Sequence, residues 1–470
     1  MLSGWVVVFD VGKTLAKFSL WDEQGRLVTR RQRYNARVAL DGRLWLDVEG
    51  IECWAQEVLA EFARLGPVRA IVPVGHGAAA AVIKGGALAC PVSDYEDAIP
   101  PPLRAAYDGL RDSFANTGSP ALPKGLNLGA QLYRLEHERL GLLADDACIL
   151  PWPQYWAWRL CGVAASEVSS LGCHTDLWCP GGACPSDLAR SRGWAMRLAP
   201  LRRAKEVLGT LRAEWVRRTK LAADVEVLCG MHDSNAALLA ALAYPEIAGR
   251  KATVITTGTW FVCMRSPGAN TRLDLARLPE SRDCLVNIDV AGRPVPSARF
   301  MGGREIELLG GLEGVDSDTV LQTLPQVLKR GCTVLPSWMP GVGPFPHSQG
   351  RWLAKPRDLA ARFGAVGLYA ALMVDTSLNL IGASERLVIE GRFASSDVFA
   401  RALATLRPDT DVFINRTGEG GLPYGALRLI EPTLLPPVPL VHVSPLELDL
   451  SRYKSRWCDA ASSEERALGQ

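Results

Sequence analysis

Residues 5–21 read WVVVFDVGKTLAKFSLW, and this stretch decides the fold class. The apolar run from Trp5 to Asp10 predicts a buried strand, and residues 14–21 predict a second strand after a glycine turn. A further turn at residues 22–25 and a third strand complete the pattern. The opening of the chain therefore predicts an antiparallel meander.

Helices and strands follow the meander in mixed order. Residues 51–65 predict a helix, and residues 70–74 predict a buried strand that ends in Gly75-His76-Gly77. Residues 126–162 predict a largely helical region that stops at Gly162. This order of elements indicates an α/β layer.

The second half of the sequence repeats its opening. Residues 252–257 predict a buried strand, Gly258-Thr259 a tight turn and residues 260–265 another strand. Two such halves predict duplicated α/β domains with a ligand cleft between them. Pro245 and Gly249 mark the best linker. We expect domains at 1–246 and 247–435, followed by a loosely held tail at 436–470.

Composition excludes several function classes. The 470 residues carry 52 Lys and Arg against 50 Asp and Glu, so the whole chain has no strong field to attract nucleic acid or a membrane. The hydrophobic fraction of 48% is that of a globular protein. Twelve scattered cysteines predict thiols in a reducing cytoplasm. We expect a soluble cytoplasmic enzyme without nucleic-acid or membrane partners.

The turn after the first strand suggests phosphate chemistry. Gly12-Lys13-Thr14 is not a P-loop, because that motif needs a glycine where Val7 stands. Backbone N–H groups and the Thr14 hydroxyl can still surround a phosphate. Asp10 would then hold hydrated magnesium. The alternative is an ordinary hairpin turn in which Asp10 and Gly12 serve conformation only.

Two further segments carry candidate side chains for catalysis and sugar binding. Asp233, at a predicted helix start, can act as general base on a hydroxyl that attacks phosphorus, or it can simply cap the helix. His76 can donate to a sugar hydroxyl, or it can be structural. A last cluster, with spacings that match no usual zinc pattern, comprises Cys173, His174, Cys179 and Cys184.

Taken together, these segments resemble the FGGY carbohydrate kinases over almost the whole chain. The motifs keep the order and separations of that family, which includes xylulose, rhamnulose and fuculose kinases. The matching segments are Asp10 to Lys17, Asn127 to Leu132, Ile149 to Gly162, Gly230 to Asp233, Thr257 to Trp260, and Tyr424 to Ala426.

The resemblance implies two actin-like (ribonuclease H-like) domains, a small ketose or polyol as substrate, and ATP and Mg²⁺ as cofactors. It implies Asp233 as catalytic base and Asp10 as the magnesium-linked carboxylate. His76, Gly77, His232 and Asp233 are the implied sugar-site residues. The implied nucleotide-site residues are Asp10, Gly12, Lys13, Thr14, Lys17, Thr257, Gly258, Thr259 and Gly391.

Three departures from the family pattern leave details open. Lys13 replaces a small hydroxyl residue, so it either adds a phosphate contact or points to solvent. Residues 390–393, Glu-Gly-Arg-Phe, stand where the family has Gly-Gly-Gly, which leaves the adenine contacts undecided. His232-Asp233 is closest to rhamnulose and fuculose kinases, whereas His76-Gly77 points to xylulose kinases.

The sequence thus predicts transfer of the γ-phosphoryl group of ATP to a hydroxyl of a small sugar or polyol. The alternative is a degenerate kinase that binds nucleotide and sugar as a sensor without catalysis. The identity of the sugar and the reacting hydroxyl stay open, as does whether the chain forms a homodimer.

Overall fold

The computed structural model describes residues 4–266, 274–312, 314–416 and 421–468. The chain divides into two compact units. The first unit comprises Met1–Ala243, Val286–Pro294 and Gly421–Leu435. The second unit comprises Tyr244–Leu285, Val295–Gly420 and Pro436–Gln470.

Strands and helices alternate along the described residues. The strands are β1 Trp5–Val11, β2 Leu15–Trp21, β3 Leu27–Tyr34, β4 Arg37–Leu40, β5 Arg43–Leu46, β6 Val68–Gly75, β7 Ala80–Lys84, β8 Ala87–Leu88, β9 Cys148–Pro151, β10 Trp178–Cys179, β11 Cys184–Pro185, β12 Val207–Thr210, β13 Glu226–Leu228, β14 Met231–His232, β15 Ala252–Thr257, β16 Phe261–Arg265, β17 Cys284–Ile288, β18 Pro294–Phe300, β19 Thr333–Leu335, β20 Arg351–Leu353, β21 Arg386–Gly391, β22 Asp411–Ile414 and β23 Val441–His442. The α-helices are α1 Val48–Leu65, α2 Pro101–Asp108, α3 Phe114–Thr117, α4 Leu128–Glu138, α5 Trp152–Cys161, α6 Val168–Leu171, α7 Asp187–Ser191, α8 Ala213–Thr219, α9 Asp233–Ala241, α10 Gly302–Leu308, α11 Ser317–Arg330, α12 Leu359–Leu380, α13 Asp397–Leu406, α14 Leu422–Leu427 and α15 Ser451–Leu468.

The first unit is built on a mixed sheet in the order β12-β13-β6-β1-β2-β3, with β14 also paired to β6. Strands β1, β2 and β3 form the predicted antiparallel meander. Strands β6, β13 and β14 add in parallel to the other side of β1. Parallel strands end at one edge of a sheet, so this order gathers the residues that follow β1, β6 and β14.

Helices cover both faces of this sheet, which explains the nearly continuous apolar run of β1. Because side chains alternate along a strand, Val7 and Phe9 pack in a cluster that contains residues of α1 and α5. Val6 and Val8 pack on the opposite face with α9 and α14. A Cβ at Gly425 would lie 1.8 Å from the Ala236 carbonyl oxygen, so only glycine allows α14 to approach α9 this closely.

The second unit repeats this plan in a sheet of order β17-β18-β16-β15-β21-β22-β23. Strands β15, β16 and β18 run antiparallel, and β21 and β22 follow β15 in parallel. This is the mixed α/β architecture that the repeated strand-turn-strand pattern predicts. Helix α12 has the length and apolar composition of a membrane span, but 83% of its most apolar stretch is buried inside the protein.

Two expectations about local structure differ from the observed fold. The expected helical region 126–162 is divided, because Gly141 adopts a positive φ of 77° and strand β9 separates α4 from α5. Pro151 favours this break, since a residue before proline avoids the α conformation, whereas Pro153 lies in the first turn of α5, where proline is tolerated. The expected boundary at residue 246 lies close to the end of the first segment at Ala243. Residues 286–294 and 421–435, expected in the second domain, belong to the first unit.

Residues 436–470, expected as a loosely held tail, contain β23 and the 18-residue helix α15. Trp457 of this helix is 2% exposed, and its Nε1 donates to the Val334 carbonyl at 2.8 Å. The Tyr453 hydroxyl donates to Thr333 Oγ1 at 2.7 Å. An apolar face on an otherwise polar helix therefore holds the C-terminal segment on the second unit.

Candidate active site

The C-terminal ends of β1, β6 and β14 lie side by side in the first unit. Val11 of β1 is opposite Gly75 of β6, and His232 of β14 is opposite the same glycine. This register brings Asp10, His76 and Asp233, each within a residue of those positions, to one edge of the sheet. Open α/β sheets bind ligands at the carboxyl ends of their parallel strands.

Asp233 is the first residue of α9 and His232 is its N-cap. The Asp233 side chain is 28% exposed and lies with Oδ1 3.2 Å from His232 Nε2. The Ser234 backbone N–H donates to the same oxygen at 2.6 Å. Among the described residues no hydrogen bond reaches Oδ2, so one carboxylate oxygen is held while the other is available to accept a proton.

Asp10 lies almost fully buried at the end of β1, with 8% exposure. Its Oδ1 has no hydrogen-bond partner among the described residues. Burial, together with the negative charge of Asp233, raises the pKa of the Asp10 carboxyl to about 8, and the charge of Lys17 acts in the opposite direction. Burial of an ionised carboxylate is costly unless a nearby cation compensates its charge.

His76 and Gly77 follow β6 directly. Burial lowers the pKa of His76 to about 4, so the imidazole is neutral at neutral pH. Its Nδ1 contacts the Gly77 carbonyl, and its buried Nε2 has no partner among the described residues. The ring packs against Tyr95 and Trp152, with centroid distances of 5.6 and 6.0 Å. In the part of the chain that the structure describes, Nδ1 is therefore engaged, while Nε2 is the ring nitrogen that makes no hydrogen bond.

Gly77 has no room for a side chain, which gives a prediction. An added Cβ would lie 2.6 Å from Cys173 Sγ and 3.2 Å from His232 Nε2. Cys173 is fully buried, so Gly77→Ala should lower the free energy of unfolding by about 1–3 kcal/mol in urea titrations. The double variant Gly77→Ala/Cys173→Ala should be more stable than Gly77→Ala alone. Unchanged stability of Gly77→Ala would show that the close contact is absent.

The turn after β1 is arranged differently from the sequence expectation. Thr14 and Lys17 are exposed, and Lys17 stands opposite Asp10 in the β1–β2 register. Asn35 Nδ2 donates to the Gly12 carbonyl at 2.8 Å and fixes the turn. Lys13 neither lies free beside a phosphate site nor points to solvent, because its ammonium group is paired with the buried Asp94 carboxylate.

A buried glutamate behind α9 was not found from the sequence. Glu167 is fully buried and its Oε2 accepts from the backbone N–H groups of Ser169 and Ser170. The Ser169 hydroxyl donates to the same oxygen and accepts the backbone N–H of His232 at 3.2 Å. Burial raises the pKa of Glu167 to about 7. No local motif indicates this link, since Glu167 lies 65 positions before His232.

In the second unit the hydroxyl of Thr257 is already occupied. Thr257 Oγ1 donates to the Glu390 carbonyl at 2.6 Å and accepts the Phe393 backbone N–H at 3.0 Å. The side chain therefore joins β15 to β21 and is not free to donate to a phosphate. Thr259 is exposed, and Gly258 donates its N–H to the Trp260 carbonyl.

This difference between the two threonines predicts different effects on stability. Thr257→Val leaves two backbone groups without their partner and should lower the free energy of unfolding by about 1–3 kcal/mol in urea titrations. Thr259→Val removes an exposed hydroxyl and should change it by less than about 0.5 kcal/mol. Equal effects of the two variants would contradict the assigned hydrogen bonds.

Gly391 is required by the backbone at its position. Its φ is +91°, and an added Cβ would lie 2.4 Å from the Thr257 carbonyl oxygen. Its neighbours are engaged elsewhere, with Glu390 accepting from Thr256 Oγ1 at 3.1 Å and Arg392 paired with Glu307 at 2.9 Å. Only Gly391 thus follows the glycine-rich pattern of this segment, and it does so for steric reasons.

Cavity size alone does not mark this site. A cavity of about 730 Å³ in the first unit is lined by residues that include Gly66, Arg69, Lys220 and Glu226, none of which is a candidate. A small cavity of about 70 Å³ next to Gly391 is lined in part by Arg392, Phe393 and Val398. Within the described ranges no three His, Cys, Asp or Glu side chains are grouped to hold a metal ion.

Comparisons with known proteins agree with this fold. A family model described as carbohydrate kinase FGGY, C-terminal domain, matches residues 249–437. A carbohydrate kinase from Novosphingobium aromaticivorans is 50% identical, with a TM-score of 0.91 over 97% of this chain and 100% of that chain. A search of the curated proteins found no match.

More distant structures share the fold. A xylulose kinase from Rhodospirillum rubrum is 17% identical, with a TM-score of 0.78 over 99% of both chains. A glycerol kinase from Plasmodium falciparum, solved with ADP, is 12% identical, with a TM-score of 0.79 over 99% of both chains. The chain belongs to the FGGY family of carbohydrate kinases and has the two-domain actin-like fold of sugar kinases.

Proposed function

We propose that this cytoplasmic chain transfers the γ-phosphoryl group of ATP to a hydroxyl of a small ketose or polyol. The observation that carries this proposal is the meeting of Asp10, His76, His232 and Asp233 at one edge of the sheet in the first unit. A carboxylate with one open oxygen stands there beside the neutral imidazole of His76 and that of His232, whose pKa is also lowered by burial. Such a set suits deprotonation of a hydroxyl better than binding of a charged ligand.

Asp233 is the proposed general base. Its Oδ1 is fixed by Ser234 and His232, which leaves Oδ2 to accept the proton of the attacking hydroxyl. Its position at the start of α9 is also compatible with a helix-capping role, but His232 occupies the N-cap. Asp233 begins α9 directly after β14, so a strand and a helix position the carboxylate, and no loop intervenes.

His76, Gly77 and His232 are the proposed sugar-side residues. The unpartnered Nε2 of His76 can hydrogen-bond to a hydroxyl of the substrate. Gly77 packs closely against Cys173 and His232, where any side chain would collide. Neutral, buried imidazoles and a bare backbone favour an uncharged polyhydroxyl substrate over a sugar phosphate.

Asp10 is the proposed carboxylate for hydrated Mg²⁺. Its buried oxygen without a partner and its raised pKa fit a group that a cation would complete. Magnesium bound to ATP neutralises charge on the transferred phosphoryl group. Gly12, Thr14 and Lys17 follow Asp10 in the sequence and are proposed to face the phosphates. Lys13 is not proposed as a phosphate contact, because its ammonium group is paired with Asp94.

In the second unit, Gly258 and Thr259 are the proposed phosphate contacts, and Thr257 is proposed to support their turn. Gly391 is proposed to lie near the adenine. The cavity beside it, at about 70 Å³, is well below the roughly 300 Å³ of ordinary small-molecule sites. This small cavity therefore does not by itself account for adenine binding.

The test of this proposal is ADP release from Mg²⁺-ATP across xylulose, ribulose, rhamnulose, fuculose, glycerol and erythritol. We expect one responder to exceed the sugar-free rate by at least about tenfold. ATP binding by calorimetry together with no response from any compound would favour the sensor alternative, which the altered residues 390–393 support. Turnover of ATP that is independent of sugar would contradict both.

A further inference from the structure

We infer that Lys13 is a positioning residue for the sugar side of the site, because its ion pair with Asp94 holds Tyr95 against His76. This inference rests on the proposed function. It assigns to Lys13 neither of the roles that the sequence suggests, a phosphate contact or a solvent-facing side chain. It also names Asp94 and Tyr95, which no motif indicates.

The pair is buried. The side chain of Lys13 is 11% exposed and that of Asp94 is fully buried, with Lys13 Nζ paired to Asp94 Oδ2. The same ammonium group lies 5.3 Å from the centre of the Tyr95 ring, within cation–π range. Arg37 Nε approaches Asp94 Oδ2 only to 3.9 Å, so Lys13 is the main partner of this carboxylate. Removing one member of a buried pair leaves an uncompensated charge.

Asp94 is itself fixed by the backbone. Its N–H donates to the Leu44 carbonyl at 3.1 Å, and its carbonyl accepts the Asp97 N–H at 3.0 Å. Its Oδ1 accepts the Glu96 N–H at 2.8 Å. These hydrogen bonds fix the position of the Asp94 carboxylate, so the Lys13 side chain has to extend toward it to form the ion pair. The turn after β1 is therefore tied to residues 94–97.

Tyr95 connects the Lys13–Asp94 pair to the sugar side of the site through its contact with His76. Its ring meets His76 edge-on, at 5.6 Å between centroids and 78° between planes. Trp152 also packs against the imidazole, at 6.0 Å between centroids. The direction of the unpartnered Nε2 is set by two things, the contact of Nδ1 with the Gly77 carbonyl and the packing of Tyr95 and Trp152 against the ring. Loss of the Lys13–Asp94 pair should change where that nitrogen points.

Steady-state kinetics of Lys13→Met, Asp94→Asn and the double variant test the inference on the sugar that responds in the ADP-release assay. We expect each single variant to raise KM for the sugar about tenfold, with KM for ATP changed less than twofold. The double variant should be no worse than either single one, because it removes both members of the pair. Lys84→Met, which breaks a more exposed pair with Asp146, is the matched control and should leave both constants unchanged.

The opposite pattern would overturn the inference. If Lys13→Met raises KM for ATP while Asp94→Asn leaves the sugar KM unchanged, Lys13 is a phosphate contact. Additive effects of the two substitutions would likewise exclude a shared role.

A readout without catalysis separates this inference from the proposed function. The chain has six histidines, and the imidazole NMR signal of His76 can be assigned in protein labelled with ¹³C-histidine by its loss in His76→Asn. Because Tyr95 meets the ring edge-on, Lys13→Met and Asp94→Asn should both shift this signal, and Lys84→Met should not. An unmoved signal would refute the inference even in an active kinase. If the signal shifts as expected but the protein phosphorylates no sugar, the absence of phosphorylation refutes the proposed function alone.

Discussion

Asp233→Asn should lower sugar-dependent ADP release by about 10²–10⁴-fold, the range that general base catalysis contributes. Asparagine keeps the size of the side chain and can still accept the Ser234 N–H that Oδ1 accepts now at 2.6 Å. It cannot take a proton from the attacking hydroxyl. KM for ATP should stay within about twofold, because the proposed phosphate contacts do not include this side chain.

The matched control is Asp224→Asn, which removes an exposed carboxylate from the same unit. It should keep wild-type turnover. Thermal unfolding of both variants checks that the fold is retained. Turnover of Asp233→Asn within about tenfold of wild type would remove Asp233 from the role of base, even with the kinase activity intact.

Asp10→Asn should produce the second large effect, a loss of at least about 10²-fold in kcat/KM together with loss of stabilisation by Mg²⁺. The carboxylate has a buried oxygen without a partner, so a cation that completes it should raise the melting temperature of the wild type. An amide has no negative charge to offer. A shift in melting temperature with MgCl₂ that persists in Asp10→Asn would place the magnesium site elsewhere.

The same variant tests the raised pKa of Asp10. The folded pKa of about 8 lies above that of an unfolded aspartate, so the contribution of Asp10 to stability is complete below about pH 4 and is lost as the pH rises toward 8. Glu167, with a pKa of about 7, adds a fall of the same sign below pH 7. Without Mg²⁺, the fall in wild-type unfolding free energy between pH 7 and 8 should therefore be absent in Asp10→Asn. An equal slope in both proteins would contradict the assignment.

The sequence was sufficient for the parts of the fold that depend on local pattern. The apolar run of β1, the glycine turn and the second apolar strand predict the β1–β2 pair, and their repetition at residues 252–265 predicts the second sheet. The prediction of a loosely held tail at 436–470 is wrong, because most residues of α15 are polar and hide its packing face. Tyr453, Trp457 and Ala461 recur on one face of that helix at the i, i+4 spacing. This spacing is the sequence pattern from which the packed helix could have been predicted.

The roles of individual side chains were harder to predict because they depend on distant partners. Lys13 is paired with a residue 81 positions further along the chain. The Thr257 hydroxyl is used by the backbone of residues more than 130 positions away. In each case the motif points to the residue, but the hydrogen-bond partner decides what the side chain is free to do.

Phosphorus-31 NMR of the reaction mixture tests the central claim most directly, because it observes where the γ-phosphoryl group goes. With wild-type protein, Mg²⁺-ATP and the responding sugar, we expect a phosphomonoester signal to grow as the γ-phosphate signal of ATP falls, and we expect neither change with Asp233→Asn. Growth of inorganic phosphate alone, without a phosphomonoester, would contradict the account, because ATP would then be hydrolysed and no sugar phosphorylated.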